Sequence, residues 1–182
     1  MEHRSTEVLS AALPDIRESP TDQGRVELIV RRPAEGEREV LAEGELDLTV
    51  GLVGDSWNAR WSRLTEDGSP HPEMQLNVMN ARVAALVAVD PERRALAGDQ
   101  LYVDLDLSGA NLPAGTRLAL GPAVIEITAE PHRGCAKFTQ RFGLDAHRFV
   151  NSDVGKELNL RGVNAKVVVP GTVRVGDPIT KV

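Results

Sequence analysis

The chain has 182 residues, with 41% hydrophobic and 26% charged residues, a balance that suits one globular domain and excludes a disordered chain. Only 3% of the residues are aromatic, so the core has to be aliphatic, and the single cysteine, Cys135, excludes an intrachain disulfide, a four-cysteine zinc site and a C-x-x-C redox pair. The net charge of −6 divides into −11 over residues 1–130 and +5 over residues 131–182, and all four lysines lie in the second part. The acidic net charge and the few aromatics argue against nucleic acid as a partner, and the asymmetry fits either an anion-binding region in residues 131–182 or a chance local excess in an acidic protein. No apolar run reaches the ~20 residues of a membrane span. Met1-Glu-His-Arg4 lacks the apolar core of a signal peptide, so the expected location is cytoplasmic, with no membrane partner.

Residues 1–24 read as a partly ordered N-terminal extension with a short helix near 6–13, broken by Pro14, Pro20 and the run Ser19–Gly24. Residues 25–182 read as a single domain. Val26–Arg31 is an expected strand. Glu39–Ala42 and Glu45–Val50 are expected short strands separated by Gly44, followed by the glycine-punctuated turn Gly51–Asp55. Trp57–Pro72 reads as a surface loop, long enough to suspect a function. Met74–Met79 is a strand, and Asn80 caps a helix over Arg82–Val89. Asp90-Pro91 starts another short helix that Gly98 ends.

Leu101–Leu107 alternates apolar and polar residues, which predicts a half-buried strand. Arg117–Leu120 and Ala123–Ala129 form a hairpin through Gly121-Pro122. Ala136–Phe142 and Asp145–Val150 read as short helices, and Ala165–Val169 and Thr172–Val175 as strands. Many short strands with a few inserted helices predict a mainly β, barrel-like α+β fold.

The chemistry concentrates at Glu130-Pro-His-Arg-Gly-Cys-Ala-Lys137. Cys135 falls at the start of a helix, with His132, Arg133 and Lys137 nearby, and helix N-termini and cations favour thiolate over thiol. A thiolate attacks electrophiles, carries sulfur or ligates a soft metal. A Cys–His pair of Cys135 with His132, His147 or His71 lacks any protease signature, and a zinc site of Cys135, His132 and His147 lacks a known spacing. A buried, inert cysteine is the structural alternative. Farther on, Arg161 and Lys166 flank a turn with Gly162 and Asn164, a pattern that suits phosphate or carboxylate oxygens or an ordinary solvated turn.

Several short pieces occur in a particular order: Gly51-x-x-Gly54-Asp55, Gln75–Asn80 ahead of a helix, Ala97-Gly-Asp-Gln100, Leu107–Leu112, Gly115–Ile127, Cys135, Leu160-Arg-Gly-Val163 and Val169–Asp177. Together they resemble the MOSC domain, the domain named for the C-terminus of molybdenum cofactor sulfurase, in a stand-alone form spanning residues 25–181. Many stand-alone members approach the cysteine as Pro-Arg-x-Pro-Cys, where this chain has Pro131-His-Arg-Gly-Cys135.

The resemblance implies a β-barrel with a cleft and a molybdopterin-type molybdenum cofactor, with Cys135 as catalytic residue and metal ligand. It makes His132, Arg133, Lys137, Arg161, Asn164 and Lys166 the cofactor-binding candidates. It implies reduction of N-hydroxylated compounds with an electron-donor protein as partner. The alternatives are a Cys135 persulfide carrier served by a cysteine desulfurase, or a non-catalytic binding module with a structural cysteine. No pyridoxal phosphate is expected in this chain, which has no Schiff-base lysine motif.

Overall fold

The computed structural model describes residues 3–182. Its centre is a mixed β-barrel of seven strands: β1 (Gly24–Arg31), β5 (Leu76–Asn80), β6 (Leu101–Asp104), β7 (Arg117–Leu120), β8 (Ala123–Ile127), β9 (Val163–Val169) and β11 (Pro178–Lys181). The order around the wall is β11-β7-β8-β9-β5-β6-β1. The ring closes where Gly24 and Arg25 of β1 pair with Ile179 and Pro178 of β11. Among the described residues, only β5 and β6 pair in parallel. β2 (Glu39–Leu41) extends the other end of β1, while β3 (Glu43–Asp47), β4 (Gly51–Leu52) and β10 (Gly171–Arg174) form a separate small sheet.

Two apolar clusters share the wall of the barrel. The inner one is entirely aliphatic, as the composition requires, and includes Val26, Ile29, Leu76, Val78, Leu101, Val103, Ile125 and Ile179, all fully buried. The outer one holds the aromatic residues Tyr102, Phe138, Phe142 and Phe149, together with Met79 and Val30, under the helices α1 (Thr6–Ala11), α2 (Leu13–Arg17), α3 (Ala81–Ala88) and α4 (Ala136–Asn151). Leu9 and Ile16 tie α1 and α2 into this cluster.

Several local expectations change in the structure. Gly44 lies inside β3 instead of separating two strands, and a Cβ there would fall 2.6 Å from Leu52 Cδ1, so the missing side chain lets β3 and β4 pack closely. Pro72–Met74 forms a 3-10 turn, so β5 starts later than expected. Pro91–Ala97 is also 3-10 helix, capped by the Asp90 carboxylate on Glu92 N and ended at Gly98 with φ +92°. β6 is covered on both faces, because Tyr102 points into the helical cluster while Leu101 and Val103 fill the barrel. α4 is two helical pieces broken at Gly143 (φ 89°, ψ 166°), in line with the two short helices read from the sequence. α5 (Asp153–Glu157) and β11 were not anticipated.

The topology places one end of the barrel. β1 runs antiparallel to β6, and β5 parallel to it, so the C-terminal end of β1 meets the N-terminal ends of β5 and β6. The loops from this end, joined by the start of α4, form the site.

Candidate functional site

A cavity of about 550 Å³ opens at that end, between the 32–38 and 56–60 loops, the Ala97–Gly98 turn and the first turns of α4. Six cationic side chains line it: Arg32, Arg38, Arg60, Lys137, Arg141 and Arg161. Among the described residues that line it, Glu35 is the only acid.

Two buried ion pairs frame the interior. Arg32 is 2% exposed. Its Nε and Nη2 donate to the two Asp55 carboxylate oxygens, each at 2.8 Å, and its Nη1 donates to Asn77 Oδ1 (3.0 Å) and the Gly98 carbonyl (2.8 Å). Burial pushes the Asp55 carboxyl up, but the Arg32 hydrogen bonds and charge outweigh it and hold the group below the ordinary carboxylate range.

Arg161 makes the second pair. Its Nη1 donates to both oxygens of fully buried Asp99, at 2.9 and 2.7 Å, and its Nη2 donates to the Ala97 carbonyl at 2.9 Å. The guanidinium also stacks over Phe138, 5.1 Å from the ring centroid. His132 Nε2 lies 2.9 Å from Asp99 Oδ1. Burial raises the Asp99 carboxyl, yet the Arg161 charge and the His132 hydrogen bond bring it below its usual value. Burial and the Arg161 charge lower His132, against the pull of Asp99. The imidazole is therefore held neutral, with Nε2–H donating to Asp99.

Cys135 is exposed at the rim of the cavity and is the N-cap of α4, in extended conformation. Its carbonyl accepts from Thr139 N at 3.1 Å. The preceding residue is fastened from the far end of the same helix: Gly134 N donates to Asn151 Oδ1 (3.0 Å), and Asn151 Nδ2 donates back to the Gly134 carbonyl (3.1 Å). A proline at 134 could not donate this bond, so the glycine in the approach to Cys135 is matched by Asn151. Across the mouth, Lys137 Nζ pairs with Glu35 Oε1 at 2.6 Å.

The fold thus brings Cys135, His132, Lys137 and Arg161 to one cavity, although they span 30 residues of sequence. Arg133 turns to a neighbouring cleft formed with Glu130, Pro131 and Thr128. Asn164 is fully buried and supports the cavity wall from behind, accepting from Asn77 Nδ2 (2.6 Å) and donating to the Glu130 carbonyl (3.0 Å). Lys166 lies away from the cavity and pairs with Glu73 at 2.7 Å and Glu126 at 3.6 Å. Among the described residues, no three His, Cys, Asp or Glu side chains are grouped to hold a metal by themselves, which leaves the zinc arrangement of Cys135, His132 and His147 without support.

Sequence reasoning did not single out Arg32, Arg38, Arg60, Arg141, Asp55 or Asp99 as site residues. Asp55 and Asp99 stood in two of the ordered short pieces, each beside a glycine, and that was their only local signal.

The MOSC domain family profile matches residues 55–180, well over half of the chain, so the protein belongs to the MOSC domain family. No curated protein matches the sequence. Among solved structures, the chain is similar to the YUAD protein from Bacillus subtilis, with 16% identity, a TM-score of 0.62, and 86% of this chain and 94% of that one covered. It is similar to YiiM from Escherichia coli at 22% identity and a TM-score of 0.55, covering 87% of this chain and 69% of that one. YiiM from Geobacillus stearothermophilus matches at 12% identity and a TM-score of 0.56, covering 87% and 75%. At these identities the likeness carries the fold. No helix among the described residues is long and apolar enough to cross a membrane.

Proposed function

We propose that this member of the MOSC domain family holds a molybdopterin-type molybdenum cofactor in the cationic cavity, with the Cys135 thiolate as a metal ligand. The observation that carries the reading is the placement of an exposed cysteine on the rim of a cavity lined by six cations and one acid. The residues suit the group. A pterin phosphate needs fixed positive charge, and the cavity supplies it on arginines, which bind phosphate oxygens in a fork. Arg161 lines the cavity at 6% exposure, and its Nε is buried without a hydrogen-bond partner.

Bound molybdenum supplies redox chemistry at the metal, which for a reduction of N-hydroxylated compounds draws its electrons from a donor protein. The chain's own residues do the rest. Cys135 is placed at the N-cap of α4, in the same cavity as Lys137. The Gly134–Asn151 bonds fix the direction of approach to that sulfur. Asp99 keeps Arg161 and His132 aimed, and His132 keeps its Nδ1 unprotonated as a hydrogen-bond acceptor.

The test is metal analysis and pterin fluorescence of protein made in a molybdenum-competent host. One molybdenum per chain is expected, and Cys135→Ser should lose the metal while circular dichroism stays unchanged. Wild-type protein carrying neither metal nor pterin would overturn the reading.

The exposure of Cys135 favours a second reading, a sulfur carrier whose thiolate takes the outer sulfur of a cysteine desulfurase persulfide, forming a Cys135 persulfide and releasing the desulfurase thiolate. Mass spectrometry after incubation with a desulfurase and cysteine would show one added sulfur, lost in Cys135→Ser. An unchanged mass would exclude it. The exposed thiol speaks against a cysteine retained only for packing.

A further inference from the structure

The helix that starts at Cys135 is not held in place by its own length. Gly143 breaks α4, so the front piece, residues 136–142, cannot take its position from the hydrogen bonds of the rear piece. Its last carbonyls also lose the N–H groups that a next turn would offer. Asn151 fixes Gly134, at the head of this piece. The tail needs a fastening of its own.

Arg93 supplies it from the 3-10 helix Pro91–Ala97. Its Nη2 donates to the Arg141 carbonyl, in the last turn before the break. Its Nη1 donates at 3.2 Å to the carbonyl of Ala88, the last residue of α3. The guanidinium lies over the ring of fully buried Phe142, 5.6 Å from the centroid. Arg141 returns the contact, its Nη1 donating to the Leu96 carbonyl at 2.7 Å. One guanidinium thus closes the C-terminal ends of two helical pieces, where positive charge suits the helix dipole.

The link after α3 is strained. Val89 has φ 65° and ψ −57°, an outlier for a β-branched residue, and Asp90 N donates to the Ala88 carbonyl at 2.7 Å to close a tight γ-turn. Such a conformation persists only where its surroundings over-determine it. The carbonyl that closes the turn is the one that Arg93 grips. Asn80, the last residue of β5, caps α3, so a line of fixed parts runs from the barrel through α3 and Arg93 to the helical piece that starts at Cys135.

We infer that Arg93 is a positioning residue for Cys135. It fastens the tail of the front piece of α4 to the end of α3, as Asn151 fastens the head, and the sulfur stands where the two hold it. The inference rests on Cys135 as the reacting residue, while the brace itself is measurable in protein that holds no metal. Arginine suits the task because separate arms of one planar fork reach the two carbonyls.

The test is amide hydrogen exchange of the full chain, read by NMR. In Arg93→Met the amides of residues 139–142 should exchange about tenfold faster, the scale of a lost charge-assisted hydrogen bond, while those of residues 148–150 keep their wild-type rates. Arg93→Lys, which keeps the charge without the fork, should recover part of the protection, and it serves as the second variant if Arg93→Met fails to fold. Val173→Ala, in the separate small sheet, removes buried apolar volume far from the brace and should leave the ratio of the two rates unchanged. A nitroxide coupled to Cys135, the lone cysteine, should give a more mobile spectrum in Arg93→Met than in wild type, and the wild-type spectrum in Val173→Ala.

A uniform rise over both pieces of α4, or an unchanged nitroxide spectrum in the folded Arg93 variants, makes Arg93 an ordinary stabilising residue and overturns the inference. Wild-type protein that takes up neither metal, pterin nor persulfide, yet shows the differential exchange, overturns the role of Cys135 and leaves the brace standing, so the two fail separately.

Discussion

Asp99→Asn probes the buried polar centre of the site with almost no change in shape. Asp99 is fully buried, and its two partners, Arg161 and His132, have side chains 7% and 13% exposed. Asparagine retains one acceptor oxygen but turns an NH2 group toward a second donor, and it leaves the Arg161 charge uncompensated. Removing one member of a buried pair costs about 3–5 kcal/mol. For a chain of this length each kcal/mol moves Tm by about 2–4 °C, so the melting temperature should fall by roughly 6–20 °C at pH 7. Arg161→Met should be damaging for the mirror reason, and the double variant should be less damaging than the sum by about 0.5–3 kcal/mol, because neither charge is left alone.

The pH dependence has a definite sign. The Asp99 carboxyl is lower in the folded chain than in the unfolded one, so its contribution is complete above the unfolded value of about 4 and is lost as pH falls through the folded value. The gap between wild type and Asp99→Asn should therefore be widest near neutrality and close in acid. Urea denaturation followed by circular dichroism measures it. A loss under about 0.5 kcal/mol at pH 7, the range of an ordinary surface change, would refute the reasoning.

His132 is lowered in the folded state by burial and by Arg161, so the unfolded chain binds the extra proton first. Stability should fall as pH drops from about 6.5 toward the folded value, and His132→Gln should flatten that stretch of the denaturation profile. Gly134→Ala places a Cβ 2.8 Å from Asn151 Nδ2 and 3.0 Å from Val150 Cγ2, which should cost about 1–3 kcal/mol and alter the alkylation rate of Cys135. Asn80 Oδ1 accepts from Arg82 N (2.8 Å) and Val83 N (3.2 Å), while its Nδ2 serves Ser19 and the Leu105 carbonyl. Asn80→Ala should lose about 1 kcal/mol for the cap alone and a further ~1–3 kcal/mol for the stranded Leu105 carbonyl, read from thermal melts.

Short strands, turn glycines and caps are local signals, and the barrel class, the Asn80 cap, the Gly121-Pro122 hairpin and the break in the Cys135 helix were all legible from them. The strand that closes the barrel was not. Pro178-Ile-Thr-Lys181 has one buried apolar residue, Ile179, and its partners β1 and β7 are distant in sequence. The alternation of Leu101–Leu107 predicted one wet face, but the helices laid over Tyr102 are a tertiary fact. The site divides in the same way. Cys135, His132, Lys137 and Arg161 stand in a locally basic segment. Arg32, Arg38 and Arg60 lie in the stretch whose net charge is −11, where averaging hides them. Lys166 looked free because Glu73, which binds it, is 93 residues away.

The acidic first part of the chain also contributes the single carboxylate at the cavity mouth, and that residue sets how strongly the cavity draws anions. Glu35 is largely exposed, at 86%, and so is Lys137, at 63%, so their bridge adds little to folding. Its effect is on the field. With Glu35 in place one of the cavity's cations is cancelled; without it, a charge returns to the rim beside Cys135. Across about 10 Å of water one unit charge changes the local concentration of a monovalent anion roughly twofold. Glu35→Gln should therefore raise the rate at which anionic iodoacetate alkylates Cys135 about twofold relative to neutral iodoacetamide. The ratio isolates charge from access, since both reagents are similar in size, and added salt should return it toward the wild-type value. A ratio indifferent to both Glu35→Gln and salt would mean that the field of the cavity does not reach the Cys135 sulfur. The cationic walls and the cysteine would then have to be treated as separate features.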